Sequence, residues 1–145
     1  MSERAKTFIQ ATELRTIVSQ QVGPLCGTVF SLYVSDNQYY CPPVADVQKI
    51  LSASKVAESE YIGDPFQSHD CDDFSHLAMA AFIRDAYRER ERRPAYAFGM
   101  VFSLGHAFNW FMGEDKVIRL VEPQTGEISD LEFFPQDDCI TFMLV

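Results

Sequence analysis

Residues 70–94 read D-C-D-D-F-S-H-L-A-M-A-A-F-I-R-D-A-Y-R-E-R-E-R-R-P, and this stretch divides the chain into a helical part and a strand part. From Asp72 onward, Phe74, Leu77, Ala78, Ala81, Phe82 and Ala86 form one narrow apolar stripe at helical spacing, with alanines small enough to let another element approach closely. Asp70, Asp72 and Asp73 gather at its start, where unpaired N–H groups favour negative charge, and Arg84, Arg88, Arg90, Arg92 and Arg93 gather toward its end. Asp85, Glu89 and Glu91 interleave with these arginines, so the basic run reads as a solvated helix end with internal ion pairs. Pro94 closes it, because the residue before a proline is pushed out of the helical region.

Upstream, Cys41-Pro42-Pro43 opens a second amphipathic segment in which Val44, Val47, Ile50 and Leu51 recur at helical spacing, predicting a helix of about three turns. Residues 58–70 between the two mix Gly, Pro, Ser and Asp with scattered aromatics and read as an irregular connection. Nearer the start, Phe8, Ile9, Leu14, Ile17 and Val18 have loosely helical spacing across 5–20, with Ser2 or Thr12 as a cap. Thr28 to Val34 is β-rich and is stopped by Ser35-Asp36-Asn37, predicting a strand or extended arm. Beyond Pro94, strands are expected at 96–103, 106–112, 116–122, 126–133 and 139–145. The turns between them are short, so neighbours should pair antiparallel as a meander. The expected fold class is α+β, N-terminal helices packed on a C-terminal antiparallel sheet, with residues 1–145 as a single domain.

Of the 145 residues, 47% are hydrophobic, enough for one substantial core. The net charge of −9 repels phosphate backbones and anionic lipid heads, so nucleic acid and membrane surfaces are poor partners. No segment reaches the roughly eighteen uninterrupted apolar residues of a membrane span, and the first residues lack a signal-peptide core, which predicts a cytoplasmic protein. Cys26, Cys41, Cys71 and Cys139 never form a CxxC pair, so free thiols are expected. Pairing among Cys26, Cys41 and Cys139 stays open, because connectivity is a property of the fold.

Cys71 falls just before the first turn of the 70–94 helix, where backbone N–H groups and the helix dipole favour a thiolate. The neighbouring aspartates oppose that, so an imidazolium would have to supply the compensating charge. His106 follows Gly105 at the start of a strand, and Glu122 ends the next strand. A turn at 113–115 places 106 approximately opposite 122, giving an imidazole–carboxylate contact from turn geometry alone. His69 and His76 flank the thiol but sit on different faces and make a weak metal set with carboxylates. Tyr96, Phe108 and Trp110 read as core aromatics, and Asn109 as facing away from His106's neighbours.

The stretches D-C-D-D-F-S-H-L-A-M (70–79), G-H-A-F-N-W (105–110) and V-E-P-Q-T-G (121–126) resemble, in order and spacing, the Cys, His and acidic motifs of papain-like and transglutaminase-like cysteine peptidases. With Y-Y-C-P-P-V-A-D-V-Q-K-I-L (39–51), the likeness extends to the group containing the papain-like C-terminal domain of a fairy-ring mushroom agglutinin and related phage and bacterial domains. The resemblance implies Cys71 as nucleophile, His106 as general base and Glu122 as orienting carboxylate, acting on a peptide or protein substrate. It implies Gln67 as an oxyanion-hole donor, at an offset shorter than the common pattern, beside the Cys71 N–H. It also implies a calcium site at Asp70, Asp72 and Asp73, for which helix capping is the simpler account; no cofactor is required. Sugar binding is not implied, since no lectin repeat is present.

The expected function is therefore a cysteine-dependent hydrolase of peptide or amide bonds working through a thioacyl-enzyme, with transamidation differing only in the acceptor. The competing reading is a catalytically silent protein-binding module of the same fold, as one subunit of a homodimer.

Overall fold

The computed structural model describes residues 5–26, 30–89 and 94–145. Ser2, Thr28, Arg90, Glu91, Arg92 and Arg93, which carried expectations of capping, strand and ion pairing, lie outside the described residues. The elements run β1 (Thr7–Gln10), α1 (Ala11–Val22), β2 (Ser31–Tyr33), β3 (Gln38–Cys41), α2 (Val44–Ser54), α3 (Cys71–Arg88), β4 (Phe98–Ser103), β5 (Ala107–Met112), β6 (Ile118–Glu122), β7 (Glu127–Asp130) and β8 (Ile140–Leu144). This is an α+β protein with a mixed six-stranded sheet, ordered β2-β8-β4-β5-β6-β7, and a separate antiparallel pair, β1-β3.

The long helix α3 starts with a reciprocal capping box between Asp70 and Asp73, which satisfies two of its otherwise unpaired N–H groups. Its stripe buries Phe74, Ala78 and Phe82, and the Phe82 ring stacks on Phe98 of β4 with centroids 3.7 Å apart. The preceding helix α2 buries Val47 and Leu51 and stops at Lys55, whose left-handed φ of 58° ends the helical run. Lys116 (φ 58°) and Gly126 (φ 78°) turn the β5–β6 and β6–β7 hairpins.

Three expectations are corrected. Residues 5–20 are not one helix: Ile9 is buried between exposed Phe8 and Gln10, a period-two pattern that makes β1, and the helical period begins only at Ala11. The sheet is not purely C-terminal or purely antiparallel, because β2 pairs in parallel with β8. Nor does the meander run to the end of the chain. It holds through β4-β5-β6-β7, but β8 crosses back and inserts between β4 and β2. Burial explains the crossing: β7 is a short, mostly exposed edge, whereas Ile140 and Met143 of β8 are fully buried and need neighbours on both sides.

Helices cover both faces of the sheet. One cluster joins Leu14, Val18 and Val22 of α1 to Phe108, Trp110, Ile118 and Met143, and the other joins α2 and α3 to Phe98, Phe111 and Val121. Side-chain alternation along β5 separates them, so Phe108 and Trp110 face α1 while Asn109 and Phe111 face α3.

Candidate functional site

The β4–β5 turn fixes the position of His106: the Ser103 N–H donates to the His106 carbonyl at 2.9 Å, and the Ser103 hydroxyl donates to the same oxygen at 3.3 Å. In the β5–β6 ladder Asn109 lies opposite Val121 and Met112 opposite Ile118, so Glu122 continues opposite 108 rather than 106. Diagonal neighbours on one face remain within reach, and the His106 Nε2 meets Glu122 Oε2 at 2.6 Å. The second carboxylate oxygen of Glu122 accepts the Gln124 N–H at 3.1 Å, which anchors the acid to the β6–β7 turn. The His106 ring stacks on Phe108, with centroids 5.7 Å apart.

These groups open onto a depression of about 210 Å³, walled by Phe108, Phe133, Phe134 and Pro135 and carrying His106, Glu122 and Asp138 as its charged groups. Two larger depressions, of about 370 and 290 Å³, lie against α3 away from this cluster. The smaller one is the better site candidate because polar groups converge in it beside a histidine with a perturbed pKa. The hydrogen bond to Glu122 raises the His106 pKa above 6.5; partial burial opposes this, and the charges of Glu122 and Asp138 add to it. Burial works against the Asp138 carboxylate, yet hydrogen bonds from Ser103, Cys139 and Leu104, with the charge of His106, hold its pKa below the ordinary value.

A folded-state pKa above the unfolded value of about 6.5 means that His106 contributes its full stabilisation below that pH and loses it as pH rises through the folded pKa. Thermal stability should therefore decline modestly from mildly acidic to alkaline pH, since both side chains are about one-third exposed (35% and 32%). An NMR titration of His106 is expected to give a pKa above that of a free histidine, and Glu122→Gln should bring it down. A His106 pKa at or below the ordinary value in the native chain would show that the pair is not ionic.

Cys71 is half-buried at the first position of α3, the helix that packs on the face opposite Phe108. Among the described residues no hydrogen bond joins its thiol to His106 or Glu122. Gln67 is exposed with a φ of 45°, and its amide donates to Asp64 at 2.8 Å. His76 Nδ1 meets the Asp72 carbonyl at 2.7 Å on the solvent side of α3, while the His69 ring packs tilted against Phe74. Burial pushes the Cys41 thiol up to about 11, which makes it inert at neutral pH.

Asp70, Cys71 and Asp72 present donor atoms within 4.8 Å of one another. Calcium takes roughly six to eight oxygen ligands, of which these residues would supply two carboxylates. Asp73 is turned into the cap, and a hydrogen bond with Asp72 raises the Asp70 pKa above its ordinary value. Asp70 and Asp73 form the helix cap, which gives these two carboxylates a role without a bound cation.

Sequence reasoning did not single out Phe133, Phe134, Pro135 or Asp138. The only local signal is the run F-F-P-Q-D-D (133–138), whose aromatic–proline pair announces a packed turn but not what it faces.

No family model matches the chain, and no curated protein does. Solved structures with the same fold include the PSL1a–E64 complex, at 22% identity and a TM-score of 0.81, covering 95% of this chain and 51% of that one. Another is the Polyporus squamosus lectin bound to the human-type influenza-binding epitope Neu5Aca2-6Galb1-4GlcNAc, at 22% identity and a TM-score of 0.78, covering 95% and 49%. The chain thus spans about half the length of the structures it resembles.

This finding corrects the papain-like and transglutaminase-like resemblance and the cysteine-hydrolase activity drawn from it, since the fold neighbours are structures of a lectin and no peptidase family matches. The motifs have structural explanations: D-C-D-D forms a helix cap, G-H closes a hairpin, and the glutamate of V-E-P-Q anchors a turn. The peptide substrate falls with that assignment. Among the described residues, no helix is long and apolar enough to cross a membrane.

Proposed function

We propose that the chain is a catalytically silent binding module whose His106–Glu122 pocket takes one residue of a neutral glycan. The supporting observation is an aromatic wall beside convergent acids: Phe133, 70% exposed, stands with Phe108 and Phe134 next to Glu122 and Asp138. An aromatic face covers the C–H side of a sugar ring, while carboxylates accept hydrogen bonds from its hydroxyls. Two carboxylates in one small pocket repel an acidic sugar, which favours uncharged residues such as the galactose and N-acetylglucosamine of the lectin-bound glycan. On this reading His106 orients Glu122 and contacts the ligand, whereas Cys71 and Gln67 are not needed. The four free thiols support a cytosolic location.

The test is calorimetric titration with galactose, Galβ1-4GlcNAc and the sialylated trisaccharide. Weak binding of the neutral sugars is expected, with Kd on the order of 1 mM for so small a contact. Glu122→Gln and Phe133→Ala should each weaken it by about tenfold or more, and Cys71→Ala should leave it unchanged. The proposal fails if no neutral glycan binds at millimolar concentration, or if the chain cleaves peptide amides in a manner abolished by Cys71→Ala.

A further inference from the structure

The groove between the end of α2 and the outer side of α3, about 290 Å³ in volume, shares no lining residue with the His106–Glu122 pocket. Its floor is apolar: Val56 is buried, Ile50 is half-buried, Ala80 and Ala81 are small enough to leave space between the helices, and Leu77 stays 45% exposed. Its rim is basic, formed by Lys55, Arg84 and Arg88. Asp85 is the one acid among the described lining residues, and its carboxylate accepts the Tyr96 hydroxyl at 2.6 Å. The sequence predicts internal ion pairs along the basic run, but no ion pair or hydrogen bond joins Arg84 or Arg88 to another described residue. The two stand one turn apart on α3, where like charges repel. Lys55 ends α2 with a left-handed φ of 58°, a position that glycine fills more easily, and pairs only loosely with Glu58 at 3.6 Å. Three cations thus gather over an apolar strip on a chain of net charge −9.

We propose that this groove binds a short acidic segment of a partner protein, with an apolar side chain seated against Leu77 and Val56 and carboxylates on either side of it reaching Arg84, Arg88 and Lys55. Guanidinium groups hold carboxylates in paired hydrogen bonds, and arginine beside apolar surface is characteristic of the residues that dominate interfaces. A bound acid also relieves the repulsion between the two arginines. The groove is half open, so it would leave a small ligand largely in water, whereas an extended peptide can lie along it. The overall negative charge disfavours a long polyanion or an anionic membrane, while a short segment meets only the local cations.

The experiment titrates a fluorescein-labelled hexapeptide, E-E-L-L-E-E, with the full chain and follows fluorescence anisotropy. A Kd on the order of 100 μM is expected at low salt, and binding should weaken several-fold as salt is raised from about 50 to about 200 mM. The peptide E-E-G-G-E-E should bind about fivefold more weakly or worse, because the floor is left uncovered, and K-K-L-L-K-K should not bind. Arg84→Gln and Arg88→Gln should each weaken binding by about fivefold while leaving the thermal midpoint unchanged or slightly raised, since each removes a repulsive neighbour. Phe133→Ala, in the other pocket, should leave peptide binding unchanged, which keeps this site separate from the glycan reading. Absence of binding at millimolar protein, equal affinity for the glycine peptide, or undiminished binding by the Arg84→Gln, Arg88→Gln double variant would each overturn the proposal.

Discussion

Gly99→Ala is expected to destabilise the chain by about 3 kcal/mol or more, the upper range for forcing atoms into a packed interior. A β-carbon at this position would lie 1.8 Å from the Leu144 carbonyl oxygen and 2.9 Å from Trp110 Nε1. Neither neighbour can retreat freely. Leu144 is held in the β4–β8 ladder opposite Met100, and its carbonyl accepts the Trp110 indole N–H at 3.1 Å. The methyl group must therefore separate two central strands or break the buried indole bond. Trp110 is the single tryptophan and is fully buried, so its fluorescence reports on the altered contact directly. Urea unfolding followed by that signal should show a lower midpoint, and a midpoint within error of the native chain would refute the argument.

The second large effect is expected from Asn109→Asp. Asn109 is completely buried, and its Nδ2 donates to the Ser75 carbonyl of α3 and to the Gly99 carbonyl of β4, each at 3.0 Å. This one side chain joins the long helix to the centre of the sheet. An aspartate of nearly equal size replaces the donor with an acceptor, so that oxygen faces oxygen on both sides in a site closed to water. The cost should be about 3–5 kcal/mol at neutral pH, comparable with an uncompensated buried charge and a large part of ordinary domain stability.

The variant's carboxyl will stay protonated to a higher pH in the folded chain than in the unfolded one. Between those two pKa values the folded state holds the extra proton, so stability falls as pH rises. The difference from the native chain should accordingly shrink as pH is lowered toward about 4. Chemical denaturation at two pH values measures this, and a deficit that does not narrow in acid would show that lost packing, rather than charge, is responsible. Asn109→Ala should cost less, because it removes the donor without adding a charge.

Neither position lines the candidate pocket. Asn109 ties α3 to β4, and Gly99 lets the C-terminal end of β8 approach β4 closely.

The helices α2 and α3 and the hairpins through β7 were legible in the chain because their information is local. Val47 and Leu51, and Phe74, Ala78 and Phe82, repeat at the helical period, and Gly113, Lys116 and Gly126 sit where hairpins reverse. The contact between His106 and Glu122 was also foreseen from turn length, although the observed register is offset by two residues and the acid reaches diagonally. The reading went astray where short motifs were taken for chemistry. D-C-D-D satisfies a helix terminus just as it would flank a nucleophile, and nothing within those four residues distinguishes the two.

The sequence by itself determined the helical and strand periods, the antiparallel hairpins and the acidic surface, since each follows from side chains within a few residues of one another. Only the tertiary structure decided that β2 lies parallel to β8 and that Phe133 and Asp138 close around His106. Those contacts join segments tens to more than a hundred residues apart. Which apolar edge meets which is settled by the burial of the whole core, a sum over distant partners that no local pattern encodes.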